Sequence, residues 1–392
     1  MSLFAANLQS APNITNDDQR SCAGYLQGNY DLSHFVSGLA MTAGVRYDED
    51  AEIRTQYTLD PNTLAVVGVL GGGGTPEGKG YWNSTSYTIG LQYHLNPRTM
   101  LYLTNSKGYS AGGLQNLAGH YEFQPDHLNN LEAGVKSTFP VGNDWMMRVD
   151  TSGYYGFFTD VQVQSIVFNY IPGTTVRTFV PTETNAASAR VTGFDMRVDA
   201  AFRNELLLDA WVSHIDDYYT NYNSLNPVTG QPVDLSSSPF LLTPPWKVGL
   251  SATYHLPIDR DRFGDISVNA NYIYRSQMWI NLGKPIVPTN PNDPNTGALC
   301  YQRRTLANGY PAMVADNGIA GKDCTPSWYN LNLGLTWEDF MGKPGVKVGL
   351  RVTNVTNNPT PPGIGTAYDS LGFTSEVVNP PRFVYATLGY TF

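Results

Sequence analysis

Three cysteines in 392 residues are too few for a disulfide-built scaffold. Charged residues make up 15% of the chain, against about 25% in ordinary soluble proteins. The usual solvated surface of lysine and glutamate is therefore thin. No apolar run approaches the roughly 18 residues of a transmembrane helix. The longest, Leu64 to Leu70, is interrupted by Gly68 and runs into Gly71–Gly74. Basic charge is also short: 24 Lys and Arg against 33 Asp and Glu leave a net charge of -9. No nucleic-acid partner is expected, since binding phosphates needs a basic face. Met1 to Ala6 has neither the basic start nor the apolar core of a signal peptide, and an exported protein is expected to carry one.

Strict two-residue alternation is present in abundance, and it marks strands with two different faces. From Trp246 to Leu256, Trp246, Val248, Leu250, Ala252, Tyr254 and Leu256 share one face, and Lys247, Gly249, Ser251, Thr253 and His255 share the other. Tyr329–Trp337, Val346–Val352, Tyr87–Leu95 and Leu39–Tyr47 repeat the pattern. Aromatics close the ends of the apolar faces, Trp246 with Tyr254 and Tyr329 with Trp337, as membrane interfaces require. The polar faces carry Gly, Ser, Thr, Asn and single charges such as Arg46, Lys136, Arg148, Lys247 and Arg351, a composition suited to a wet lumen.

About thirteen strands are expected, starting near residues 22, 37, 83, 98, 128, 144, 188, 205, 244, 264, 326, 345 and 381, within roughly 2–4 residues. Short turns near Ser33–Ser37, Asn96–Thr99, Pro140–Asp144, Arg203–Glu205, Pro257–Gly264 and Glu338–Gly345 alternate with long segments over 48–82, 108–127, 159–187, 221–243, 278–325 and 357–380. Short periplasmic turns alternating with long extracellular loops define an all-β, antiparallel transmembrane barrel of the Gram-negative outer membrane. The apolar face persists through Val384, Ala386, Leu388, Tyr390 and Phe392. Counting back from there places residues 1–21 outside the cell, as a loop remnant or partial strand, with barrel over 22–392. Bacterial single-chain barrels have even strand numbers; a further strand at Leu3–Gln9 would make fourteen.

Chemistry-bearing clusters are sparse. Gly71–Gly74 lacks the Lys-Ser/Thr of a phosphate loop. His120, Tyr121 and His127 share a long segment with Glu122 and Asp126 and could touch a metal chelate, but their spacing matches no defined metal site. Asp216-Asp217 beside Tyr218 and Tyr219 reads as a polar strand end before it reads as a cation site. Arg303 and Arg304 lie between Cys300 and Cys324 and could meet an anionic ligand. Cys300 and Cys324 flank one polar loop and are expected to form a disulfide, leaving Cys22 unpaired. No catalytic constellation and no cofactor motif is found, so an enzyme is not expected.

Several segments resemble TonB-dependent receptors. Tyr102 to Gly113, with Ser106, Gly108, Tyr109, Gly112 and Gly113, is similar to that family's Y-x-x-S-x-G-Y-x-x-G-G segment. Phe123, Pro125 and Asp126, followed by Glu132, Gly134, Lys136 and Ser137, resemble its F-x-P-E and E-x-G-x-K-S pair, with Asp126 in place of Glu. Gly38–Tyr47, Ala189–Met196 and Val352–Asn357 resemble three further strand motifs, and the set covers roughly residues 22 to 392 in order. The resemblance implies the C-terminal part of a barrel of about 22 strands. It implies energised uptake of a scarce solute such as a ferric siderophore, and a C-terminal strand at Tyr390 and Phe392 read by the barrel assembly machinery. Outer-membrane lipid and a small solute or metal chelate are the expected partners. TonB coupling in this family acts through a plug domain, which nothing here resembles, so this chain alone is not expected to perform it.

A self-contained passive channel of about 14 strands is the alternative expectation, and a surface adhesion protein, suggested by the Tyr- and Asn-rich loops, is a third. The disulfide has a direct check. Labelling of free thiols under denaturing, non-reducing conditions is expected to modify Cys22 alone; modification of Cys300 and Cys324 would disprove the bridge.

Overall fold

The computed structural model describes residues 13–59, 63–69, 77–115, 122–170, 177–203, 205–225, 232–236, 238, 240–280, 301–305, 311–315, 324–366 and 374–391. Thirteen strands form one sheet in chain order: β1 (Asn13–Asp31), β2 (Leu39–Leu59), β3 (Glu77–Asn96), β4 (Thr99–Ser110), β5 (Asp126–Val141), β6 (Trp145–Tyr170), β7 (Arg177–Phe202), β8 (Leu206–Leu225), β9 (Trp246–His255), β10 (Asp265–Arg275), β11 (Trp328–Glu338), β12 (Val346–Thr353) and β13 (Phe383–Tyr390). Each strand pairs antiparallel with its chain neighbours. Two short strands, Val66–Val69 and Pro232–Asp234, attach to β2 and β8.

The alternation in sequence becomes two continuous faces because the register matches apolar to apolar. One row runs Trp145, Phe202, Leu206, Tyr254, Val268, Leu335, Leu350 and Ala386 through successive cross-strand partners. A one-residue slip anywhere would throw that row onto the polar side. Among the described residues nothing packs over this face: Leu250 is 47% exposed and Leu350 44%. In water such a surface would be an aggregation liability, whereas in lipid each leucine stabilises the embedded state by about 1.5–3 kcal/mol. Aromatic clusters bound the apolar band. His214 stacks on Trp246 at 4.2 Å toward the long-hairpin end, and Trp145–Phe202 at 5.1 Å and Trp337–Phe340 at 4.5 Å lie toward the short turns.

All six short turns are where the sequence places them. The longest holds a helical turn, α1 (Arg260–Phe263), whose first amides are capped by Asp259, while His255 and Asp265 close its base at 2.9 Å. The other ends of the strands differ from expectation. β1 starts at Asn13 rather than near 22, β3 at Glu77 rather than near 83, and β7 at Arg177 rather than near 188. Much of what reads as long loop is strand: β2 and β3 stay laddered out to Thr55 and Glu77, and β6 and β7 out to Tyr170 and Arg177. Beyond the lipid both faces of a hairpin are wet, so segments such as Asn13–Ser21 carry no apolar alternation to mark them. The possible strand at Leu3–Gln9 lies outside the described residues.

With an odd number of alternating strands, β1 and β13 run in the same direction. Among the described residues each pairs on one side only, and joining them directly would need a parallel ladder inside an otherwise antiparallel sheet.

A lipid-face charge should be costly where a lumen-face charge is not. Leu250→Arg is expected to lower the free energy of unfolding in phospholipid vesicles by about 2–4 kcal/mol, and the neighbouring Ser251→Arg by less than about 1 kcal/mol. Equal effects would reverse the assignment of faces.

Candidate functional site

The inner face carries a belt of opposite charges at the level of the apolar band. Arg148 meets Asp150 at 2.6 Å, and Arg197 bridges Asp199 at 3.2 Å and Asp209 at 2.9 Å. Tyr102 donates its hydroxyl to Glu132 at 2.6 Å, and Lys136 sits 5.6 Å over the Tyr102 ring. These residues alternate along β4–β8, so the sheet period sets them on one wall. Glycine makes room for the aromatics. A Cβ at Gly249 would strike the Trp211 indole, and one at Gly134 the Tyr102 ring, which lets both rings lie flat across the neighbouring strand. A cleft of about 340 Å³ opens on this wall between Met146, Arg148, Leu207, Asp209 and Thr253. The wall is polar, charged and concave, fitted to water and polar solutes or to a polar protein surface.

Beyond the band, at the long-hairpin end, carboxylates gather on β1 and β2. Arg54 donates to Asp17 at 2.6 Å and pairs with Glu52 at 3.2 Å. Arg46 pairs with Asp48 at 2.7 Å. Asp48 and Glu52 are buried. The segment 111–115 lies over them: the Leu114 amide donates to Glu52 at 3.1 Å, and Trp82 packs against Gly112. Burial, with Asp50 accepting the Tyr109 hydroxyl, holds that phenol well above its ordinary value. The same connection ties to the β6–β7 hairpin, where Gln162 donates to the Ala111 carbonyl at 2.8 Å and Gln115 to that of Glu183 at 2.8 Å. Burial also raises Asp126, which accepts from the Gln162 amide.

Beyond Asn185, β7 shifts register against β6, and Asp160 opposite adopts a positive φ of 57°. Asn185 fixes the irregularity by donating to the Asp160 carbonyl at 2.8 Å. Bulges bend strands and re-aim side chains, and here Val161, Val163, Ala187 and Ala189 join Tyr219, Tyr222 and Leu235 in a buried apolar cluster. Leu235 belongs to the β8–β9 connection. Its amide donates to the Tyr222 carbonyl at 2.8 Å.

At the last hairpin, Asn354 is buried with φ of 47°. Its side-chain amide donates to the carbonyls of Asn358 at 3.0 Å and Pro380 at 2.8 Å, and its oxygen accepts from the Asn358 amide at 2.8 Å. Asn358 donates onward to the Tyr329 carbonyl at 2.8 Å. Asparagine tolerates the left-handed region and brings hydrogen bonds of its own, which gives a physical reason for it in the Val352–Asn357 motif.

Of the candidate ligand-contacting residues, the described part of the structure includes His127, Arg303 and Arg304. His120, Tyr121 and Cys300 lie outside the described residues. His127 is not in a loop: it sits in β5, with Nε2 3.3 Å from Ser84 Oγ and its ring 6.3 Å from Tyr109, so it packs the hairpins together. Arg303 and Arg304 lie on a separate two-stranded hairpin, Tyr301–Thr305 with Pro311–Ala315. Cys324 pairs through its backbone with Trp279, and Cys22 is free and exposed on β1. Tyr390 is exposed on the apolar face opposite Val346; Phe392 lies outside the described residues. Asp216 and Asp217 are no strand end but lie within β8. Among the described residues, no group of three or more His, Cys, Asp or Glu is placed to hold a metal ion. The acidic β1–β2 cluster with its cover at Leu114 escaped sequence reading, and so did the burial of Asp217 beneath Phe240, because both are built by contacts distant in the chain.

A family model described as TonB dependent receptor-like, beta-barrel, matches residues 3–355. Among solved structures, the chain is similar to the ferric yersiniabactin uptake receptor FyuA from Yersinia pestis, with a TM-score of 0.68 and 14% identity over 97% of this chain and 47% of that one. The siderophore receptor PiuA from Acinetobacter baumannii gives 0.63 and 13%, over 96% and 44%. The copper transporter OprC gives 0.56 and 15%, over 96% and 48%. The chain therefore spans about half the length of the solved structures it resembles, and these identities speak for the fold.

Asn354 provides a test of the last hairpin. Asn354→Ala is expected to lower stability by about 2–3 kcal/mol. Asn354→Gly, which keeps the backbone geometry open, should cost about 1 kcal/mol less; chemical denaturation of both variants compares them.

Proposed function

Since the chain belongs to the TonB-dependent receptor family as β-barrel, we propose that it forms the wall of a receptor that takes up a scarce, chelated metal or similar solute. Its place is the outer membrane of a Gram-negative bacterium, where this family's barrels reside. The family is one of receptors and transporters, and we read the chain as having no enzymatic role. The observation that carries the uptake reading is the pairing of a lipid-ready outer face with the ion-paired inner wall of β4–β8. A wall whose charges are paired among themselves can lie against a polar occupant without leaving a charge unpartnered.

Substrate identity is proposed only as a class. Two of the solved structures named above are an uptake receptor for ferric yersiniabactin and a siderophore receptor, and the third transports copper. Metal, free or chelated, is common to them. In this reading solute is met first at the long-hairpin end. TonB would act through a plug domain seated against the inner wall, and the C-terminal strand at Tyr390 would engage the assembly machinery. The passive channel of about 14 strands is not favoured: it rests on a closed small barrel, and among the described residues no ladder joins β1 to β13.

Uptake decides the matter. Deleting the gene in its native host should abolish accumulation of at least one radiolabelled ferric siderophore or metal complex from a panel, and collapsing the proton-motive force should do the same in the parent strain. Influx that survives de-energisation and falls off only with solute size would overturn the proposal in favour of a passive channel.

A further inference from the structure

The described part of the β8–β9 connection does not stand free. Its described residues 232–236, 238 and 240–242 form a strap across β6, β7 and β8 beyond the apolar band. On β8 the outer face turns polar at Asp216, two residues past His214, which marks the edge of the band. Besides the ladder of Pro232–Asp234 on β8, four further hydrogen bonds seat the strap. Leu235 donates to the Tyr222 carbonyl at 2.8 Å, and the Tyr219 amide donates to the Ser238 carbonyl at 3.0 Å. The Tyr222 amide donates to Ser236 Oγ at 3.0 Å, and the Phe240 amide to Asp217 Oδ1 at 2.8 Å. Phe240 then packs against Tyr219 at 4.9 Å and Phe158 at 6.0 Å.

Asp217 is the odd member of this seat. It is buried, and its second oxygen, Oδ2, has no hydrogen-bond partner among the described residues. A carboxylate needs several donors to replace the water it loses, and here a single backbone amide is offered. Among the described residues nothing opposite supplies positive charge. Val191 faces it from β7, while Arg190 beside it is turned to the Phe157 ring at 5.4 Å. Tyr154 on β6 feels the charge of both Asp217 and Asp195. On β8 itself the neighbours are Tyr219, Tyr222 and the carboxylate of Asp216, and on the strap Asp234 is engaged by Ser236. A proton on Oδ2 would remove the buried charge and leave Oδ1 free to accept from Phe240.

We propose that the strap is an acid-tightened cover on the inner face at the outer mouth of the barrel wall, its seat closing more firmly when Asp217 takes up a proton. Geometry sets the direction, and the electrostatics agree: burial, opposed by the Phe240 amide and aided by Asp216, pushes the carboxyl up to about 6. With the strap lifted, Asp217 meets water and titrates near its ordinary value, about 3.9. The closed form therefore holds the proton more tightly, and closure strengthens as pH falls from about 6 to about 4, levelling off below. Between pH 7 and pH 5 the closing equilibrium should rise about tenfold.

Hydrogen exchange at the Tyr219, Leu235 and Phe240 amides reads that equilibrium directly, on the full receptor in outer-membrane vesicles and corrected for the intrinsic pH dependence of exchange. Protection should rise about tenfold from pH 7 to pH 5 in the unaltered protein. In Asp217→Asn, a neutral isostere that keeps the acceptor oxygen, it should be high and flat across that range. Asp216→Asn, on the opposite face, should retain the rise. Protection that is flat or falls on acidification of the unaltered protein overturns the proposal, as does a full rise surviving in Asp217→Asn. Should that variant fail to assemble, the unaltered protein's own pH series still decides.

Discussion

Every backbone amide and carbonyl within hydrocarbon must find a partner in the protein, because lipid offers none. For this chain that requirement is met by neighbouring strands, and the rest of the structure follows from it. The ladder fixes the strand spacing, the spacing fixes which residues lie side by side, and alternation then divides the sheet into a lipid face and a wet face. Antiparallel pairing of chain neighbours is the cheapest way to satisfy the ladder, since each pair needs only a turn. The consequence at the two lateral limits is equally physical. β1 and β13 point the same way, so whatever completes the ladder on both antiparallel must contribute an odd number of strands.

Above the membrane the constraint changes. Water can satisfy the backbone there, so hairpins are held by side chains, and the chain uses them densely. Buried carboxylates at Asp48 and Glu52 take donors from Arg46, Arg54 and the Leu114 amide. The bulge at Asn185 and Asp160 turns apolar residues inward to make a small core. Connections that read as separate loops are thus joined, β2–β3 to β6–β7 through residues 111–115, and β8–β9 onto β6–β8. A perturbation at one outer segment has a material path to the others.

Legibility divided along the same line. Trp246–Leu256 and Tyr329–Trp337 announced their strands because one face had to be apolar, and the short turns could be placed to within a few residues. Asn13–Ser21 and the outer part of β7 gave no such signal, because both of their faces are wet. Loop length was overestimated for that reason alone. The site was less legible than the fold. His127 looked like a loop residue because its partners, Ser84 and Tyr109, come from other hairpins. Asp217 looked like a polar strand end because only the fold brings Phe240 over it. Asn354 was visible as part of a motif, while its role as a left-handed corner needed coordinates.

The length of β6 and β7 has a mechanical meaning. Each has 26 residues, a contour of roughly 85 Å at about 3.3 Å per residue, of which a membrane crossing uses about 9–11 residues. Well over half of this hairpin therefore stands outside the lipid as a spar, bent at its bulge and stayed to its neighbours by glutamine and asparagine side chains. Any particle, antibody or solute approaching the cell along this wall would reach the spar before it reached the membrane.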